Sequence, residues 1–131
     1  MGFLNLSQIR SSDYLERREI DATEWAQPDE NGKRRPEKIL VRQLTAREKD
    51  KYENSLVEFK GDKRKVNLID SRARLAVLCC INEDGTPLFP PDAVEWLTNK
   101  PAIVFDRIHE AYEKLNGIRD EDEEDLEKNF E

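Results

Sequence analysis

The run Lys38-Ile39-Leu40-Val41-Arg42-Gln43-Leu44-Thr45-Ala46-Arg47-Glu48 changes its chemistry halfway along, and that change decides the fold class. Its first half is rich in β-forming side chains and suits a strand. Its second half, Thr45-Ala46-Arg47-Glu48, is a capping box: the threonine hydroxyl accepts from the backbone N–H three residues on, while Glu48 reaches back to the threonine's own N–H. A strand hands over to a helix, and the chain reads as α+β.

Upstream, Ile20, Ala22 and Glu24 alternate with Asp21, Thr23 and Trp25, which predicts a strand over Glu19 to Trp25 with one imperfect apolar face. Between the two runs lies Gln27-Pro28-Asp29-Glu30-Asn31-Gly32-Lys33-Arg34-Arg35-Pro36, whose proline, Asn-Gly and charge favour a long turn. The pair is therefore expected as an antiparallel β-hairpin over about 19–44. Before it, Phe3, Leu4, Leu6, Ile9 and Tyr14 stand among polar residues, with Ser7 as the expected cap of a short helical turn.

Downstream of Thr45 a helix is expected to about Phe59, with Tyr52, Leu56 and Phe59 on one side and Gly61 ending it. Lys60 to Lys65 reads as a polar connection. Leu68 to Ile81 is the most apolar stretch; Leu68, Arg72, Leu75, Ala76 and Cys79 fit a helix whose C-terminal half is enclosed, although a buried strand would look similar. Asn82 to Pro87 is a turn. Pro90 and Pro91 suit the start of another helix, with Val94, Trp96 and Leu97 inward. After Asn99-Lys100-Pro101, the residues Ile103, Val104, Phe105, Ile108, Ala111, Tyr112 and Leu115 form a broad helical stripe that Asn116-Gly117 should close. The expected architecture is mainly α-helical, with the hairpin followed by about four helices over 45–117, one folded domain over 1–119 and an acidic, flexible tail over 120–131.

Charge separates body from tail. The chain has 131 residues, 22 bases and 29 acids, for a net charge of −7. Asp120 to Glu131 carries eight acids and one base, so this segment alone accounts for the whole excess. The body is neutral. At 37% hydrophobic and 39% charged, the whole chain has enough apolar material for a core beneath a heavily solvated surface. No stretch approaches the roughly 18 apolar residues of a spanning helix, and no export signal is read at the N-terminus, so a membrane partner is not expected. The adjacent Cys79 and Cys80 make a poor disulfide framework and point to a reducing compartment.

Reactive chemistry finds little support. His109, the single histidine, lies on the predicted last helix without metal-ligand or base partners at motif spacing, and reads as a surface or half-buried side chain. The cysteines sit in an apolar run that suits packing. Aligning Asn82 to Pro91 on a calcium loop by its glycine places Cys80 and Pro91 where two principal carboxylates belong, so a turn is the better reading. No phosphate loop or nucleophile elbow appears. No enzyme activity, catalytic residue, metal or cofactor is expected. Lys60, Lys63, Arg64, Lys65, Arg72 and Arg74 raise a DNA-associated regulator as an alternative, yet Asp62 and Asp70 interrupt the cluster, and a solvated basic loop is favoured over a nucleic-acid partner.

Glu24-Trp25, Val41-Arg42-Gln43-Leu44-Thr45-Ala46-Arg47-Glu48 and Tyr52-Glu53 follow one another in an order that resembles tail assembly chaperones of long-tailed (siphovirus-type) bacteriophages. The later fragments are also similar to that family: Arg72-Ala73-Arg74-Leu75, Leu78-Cys79, Asn82 to Phe89, Asp92 to Leu97, Lys100, Asp106-Arg107 and Leu115-Asn116-Gly117. The lysine-rich Lys60 to Lys65 loop and the acidic end depart from it.

The resemblance implies a non-enzymatic protein of the infected host's cytoplasm, absent from the mature virion, that binds the tape-measure protein and keeps it soluble while the tail tube polymerises. It further implies a longer frameshifted form of the protein itself, other copies of the chain and the tail tube protein as partners. A structural tail or head-tail joining component is the related alternative. Such a holdase needs exposed apolar surface for its client. The wide stripe of the last helix makes Val104, Phe105, Ile108 and Tyr112, with Trp96 and Leu97, the expected protein-binding residues, unless the same stripe is core.

Overall fold

The computed structural model describes residues 2–117, so the acidic tail expected over 120–131 lies outside the described residues. The fold is α+β. Helix α1 (Leu6–Ser11) precedes strand β1 (Arg17–Asp21), a 3-10 turn over Thr23–Trp25 and strand β2 (Lys38–Arg42). Helix α2 (Ala46–Ser55) leads into a second hairpin, β3 (Val57–Lys60) and β4 (Lys63–Val66). Helix α3 (Ser71–Cys79), strand β5 (Cys80–Ile81), a 3-10 turn over Pro91–Ala93, helix α4 (Val94–Leu97) and helix α5 (Ala102–Leu115) complete the order.

The expected N-terminal hairpin forms, with Arg17 opposite Arg42 and Asp21 opposite Lys38 in antiparallel register. Its first strand is shorter than predicted. Asp21 Oδ1 accepts from the Thr23 N–H at 3.0 Å and from the Thr23 hydroxyl, so the backbone turns into a 3-10 turn before Trp25. The predicted cap of α1 is also corrected: Asn5, not Ser7, accepts from the Gln8 N–H at 2.9 Å, and Gln8 returns the contact to the Asn5 N–H.

Helix α2 begins at the predicted box, with Thr45 accepting from the Glu48 N–H at 3.2 Å and Glu48 accepting from the Thr45 N–H at 3.0 Å. It ends at Ser55 rather than near Phe59, because Val57 to Lys60 pairs with Lys63 to Val66. Gly61, at φ +62, takes the first place of the two-residue turn, a conformation glycine adopts without a Cβ penalty. The expected polar connection is therefore a strand pair. The apolar run from Leu75 to Ile81 is likewise divided: α3 stops at Cys79, and Cys80-Ile81 extends the sheet to the order β1-β2-β5 by pairing with Val41 and Leu40.

The core lies between this sheet and α3, α4 and α5. Val41, Ala76, Cys79, Cys80 and Val104 are wholly inaccessible, and Leu75, Leu97 and Ile108 nearly so. Each large aliphatic or aromatic side chain buried there contributes roughly 1.5–3 kcal/mol. Two arginines fasten the helices around it. Arg42 forks onto Glu48 at 2.9 and 2.7 Å and also donates to the Leu78 carbonyl, tying α2 to the end of α3. Arg107 forks onto Glu24 at 2.7 and 2.8 Å, tying α5 to the 3-10 turn after β1.

Candidate interaction surface

Of the six residues expected to bind a partner, five are core side chains. Leu97, Val104, Phe105, Ile108 and Tyr112 are all buried in the single chain. Phe105 meets Trp25 edge-on with centroids 4.9 Å apart, and Tyr112 meets Tyr52 at 6.1 Å. A partner could not reach these side chains without opening the core. Burial also pushes the Tyr112 hydroxyl up to about 12. Trp96 is different: it is partly exposed, packs edge-on against Phe89 at 6.0 Å, and carries Lys100 Nζ 6.0 Å above its ring. The expectation that Trp96 points inward beside Leu97 is corrected by this exposure, and the turn of α4 buries Leu97 alone of the two.

Apolar surface instead gathers in two places that the core does not cover. The N-terminal arm presents Phe3, Leu4, Leu6, Ile9 and Tyr14 to solvent, with Phe3 fully accessible. No residue of α1 is buried. The second place is the β3–β4 hairpin and the chain after it, where Phe59, Val66, Leu68 and Ile69 are exposed. Directly opposed residues share a face of a strand pair, so Val57, Phe59, Arg64 and Val66 lie on one side and Glu58, Lys63 and Lys65 on the other. The sequence signal for this hairpin was the alternation Val57-Glu58-Phe59 ahead of Gly61-Asp62, which competed with the helical spacing of Tyr52, Leu56 and Phe59.

The residues tested for chemistry fall in separate environments. His109 Nδ1 is 3.0 Å from Glu113 Oε1 on the surface of α5. Cys79 and Cys80 are free and buried; the contact with Cys79, together with burial, holds the Cys80 thiol well above its ordinary range. The Asn82 to Pro87 segment is a tight turn in which Asp84 Oδ1 accepts from the Thr86 N–H and hydroxyl, and this contact lowers the Asp84 carboxyl. Among the described residues, no group of three or more His, Cys, Asp or Glu side chains is placed to hold a metal ion. Among them, too, no helix is long and apolar enough to cross a membrane.

A cavity of about 420 Å³ opens between the start of α3 and the start of α5, lined by Leu68, Ser71, Arg72, Thr98, Lys100 and Phe105. Arg72 lies 3.5 Å from Asp106 at its edge, so part of its charge is already balanced. The Arg42–Glu48 fork, set at the N-terminus of α2, depresses the Glu48 carboxyl to about 2, chiefly through the guanidinium hydrogen bonds. Arg107 and Thr23 lower Glu24 and Asp21 respectively in the same way. These pairs fasten elements together. Compared with protein families, curated proteins and solved structures, the chain matches none.

Proposed function

We propose that the protein is a tail assembly chaperone of a long-tailed bacteriophage, acting in the cytoplasm of the infected host by covering apolar stripes of the tape-measure protein. The motif order along residues 20–117 supports the family reading, and the N-terminal arm supports the mechanism. A six-residue helix has little stability alone, because helices this short draw on tertiary packing. Helix α1 has a complete capping box, none of its residues is buried, and Leu6 and Ile9 are exposed. That combination suits a segment that completes its packing on a partner, with Phe3, Leu4 and Tyr14 extending the apolar contact. The exposure of this arm is the single observation that carries the proposal.

The mechanism follows from solubility. A long helical client aggregates through its apolar stripe, and covering the stripe with an arm attached to a highly charged body replaces apolar surface by solvated surface. No bond is made or broken. The test is light scattering of a tape-measure fragment mixed with the purified protein. The native chain should suppress aggregation in proportion to its amount, and Leu6→Ser with Ile9→Ser should weaken suppression at least about fivefold with an unchanged circular-dichroism spectrum, since both side chains lie outside the core. Equal suppression by the native and substituted proteins would overturn the proposed role of the arm. No suppression by the native protein would overturn the chaperone reading itself. Stoichiometric recovery of the protein in purified virions would favour a structural tail component instead.

A further inference from the structure

We propose that the outer edge of β1 is a pairing edge: Arg17–Asp21 adds antiparallel to the same strand of a second copy, about a two-fold axis at Glu19, and joins two three-stranded sheets into one. This inference stands apart from the chaperone reading, because it concerns the protein without its client. β1 is the end strand in the order β1-β2-β5, and all of it but Ile20 is exposed. The Ala22 N–H donates to the Glu37 carbonyl and the Gln43 N–H to the Glu16 carbonyl, both at 2.8 Å, so the even-numbered residues of β1 turn their backbone groups towards β2. Arg17, Glu19 and Asp21 turn theirs away. Among the described residues, the Asp21 carbonyl alone of these outward groups has a partner, the Arg107 guanidinium at 3.0 Å, and a carbonyl has a second lone pair to offer. Such a row of donors and acceptors is a template for another strand.

The side chains choose the occupant. Read antiparallel against itself about Glu19, Arg17-Arg18-Glu19-Ile20-Asp21 sets Arg17 opposite Asp21 on both sides of the axis, whereas parallel pairing in register would set arginine on arginine. Asp21 commits Oδ1 to Thr23, and its Oδ2, 3.8 Å from Arg107, remains for the guanidinium of the second copy. Arg17 donates through Nη1 to the Glu83 carbonyl and keeps its other donors. The like-charged contact at the axis, Glu19 on Glu19, is offset within each copy by Lys38, whose Nζ lies 3.1 Å from Glu19 Oε2. On the other face of the strand, Arg18 stands opposite Ile20. A groove of about 180 Å³ runs along this edge, with Ile20 and Ala111 among its lining residues and Glu110 beside them. It receives the Arg18 stem of the second copy against Ile20 and Ala111, with the charged head at Glu110. Both copies use one and the same surface, as a two-fold contact requires.

The test is sedimentation velocity of the full-length protein alone, from about 1 μM to about 500 μM, the range in which a contact smaller than a standard interface should form. Native protein should pass reversibly from monomer to dimer. Glu19→Pro removes the outward N–H at the axis and spares the β1–β2 ladder, in which that N–H takes no part, so it should weaken the dimer at least about tenfold with an unchanged circular-dichroism spectrum. Arg17→Asp, which faces Asp21 with a like charge, should weaken it by about as much, whereas Glu19→Gln removes the repulsion at the axis and should tighten it about threefold. Register is read by mild oxidation of single-cysteine additions, since Cys79 and Cys80 are buried. Glu19→Cys places two thiols on strands whose opposed Cα atoms lie about 5.5 Å apart, within disulfide reach. Arg17→Cys sets its two thiols four residues out of register, roughly 13 Å along the strand, and should yield at least about tenfold less linked dimer. A native protein that stays monomeric throughout would overturn the proposal. So would a dimer indifferent to both Glu19→Pro and Arg17→Asp, which would place the contact on another surface, or equal linkage from positions 17 and 19. With no client in the experiment, none of these outcomes bears on the chaperone reading.

Discussion

Helix α5 and the N-terminal arm are both rich in apolar residues, yet they have opposite fates in the fold. Val104, Phe105, Ile108 and Tyr112 meet the sheet and neighbouring helices and leave solvent almost completely, whereas Phe3, Leu4, Leu6, Ile9 and Tyr14 meet nothing comparable and stay in it. The contrast separates two uses of hydrophobicity. Where facing elements exist, apolar side chains stabilise the molecule; where they do not, the same side chains remain available to another surface. Substitution in the first region should therefore act on folding and in the second on association.

The largest effect is expected at the centre of the packed region. Phe105→Ala removes an aromatic side chain that packs against Trp25, and should cost about 3–5 kcal/mol of stability in urea unfolding. A loss below about 1 kcal/mol would show that α5 is not held as described. Next comes the fork between Arg42 and Glu48. Glu48→Gln also weakens the N-cap contacts and should cost about 2 kcal/mol at neutral pH.

The same pair has a pH signature. Because the folded-state carboxyl of Glu48 sits at about 2, below its ordinary 4.5, its stabilisation is complete above the unfolded value and fades as pH falls from 4.5 towards 2. Native protein should lose stability across that interval more steeply than Glu48→Gln, and parallel curves would contradict the assignment. A smaller effect is expected at the hairpin turn. Gly61→Ala forces a Cβ into a backbone at φ +62 and should cost about 1 kcal/mol, read as faster amide exchange in β3 and β4. At the far end of the scale, Phe3→Ser should leave unfolding within about 0.5 kcal/mol of native while weakening client binding.

Much of the fold was legible because its signals are local. Thr45 and Glu48 announce a helix start within four residues, Asn31-Gly32 accompanies the turn between β1 and β2, and Asn116-Gly117 closes α5 with Gly117 at φ +77. What escaped was decided by tertiary pairing. Leu56 and Phe59 fit the helical spacing from Tyr52, but the ladder from Val57 to Val66 takes the chain into a strand. Cys79 and Cys80 belong to one apolar run, and only the pairing of Cys80 with Val41 separates helix from strand between them.

The candidate surface was less legible than the fold. A broad apolar stripe reads alike whether its partner is the rest of the chain or another protein, so Phe105 and Ile108 could not be assigned to core or interface until the packing was known. Trp96 and Leu97 are neighbours of similar hydrophobicity, yet the turn of α4 leaves one partly exposed and buries the other. The arm was visible as a set of apolar residues, Phe3 to Tyr14, but its exposure depends on what fails to pack against it. Such a property belongs to the folded molecule.

Hydrogen exchange of the full-length protein with and without a tape-measure fragment tests the central claim most directly. The account predicts that added fragment slows exchange across residues 3–14 and leaves the α5 amides as slow as they were. Unchanged exchange in the arm, or an acceleration in α5 showing that the core opens to receive the client, would contradict it.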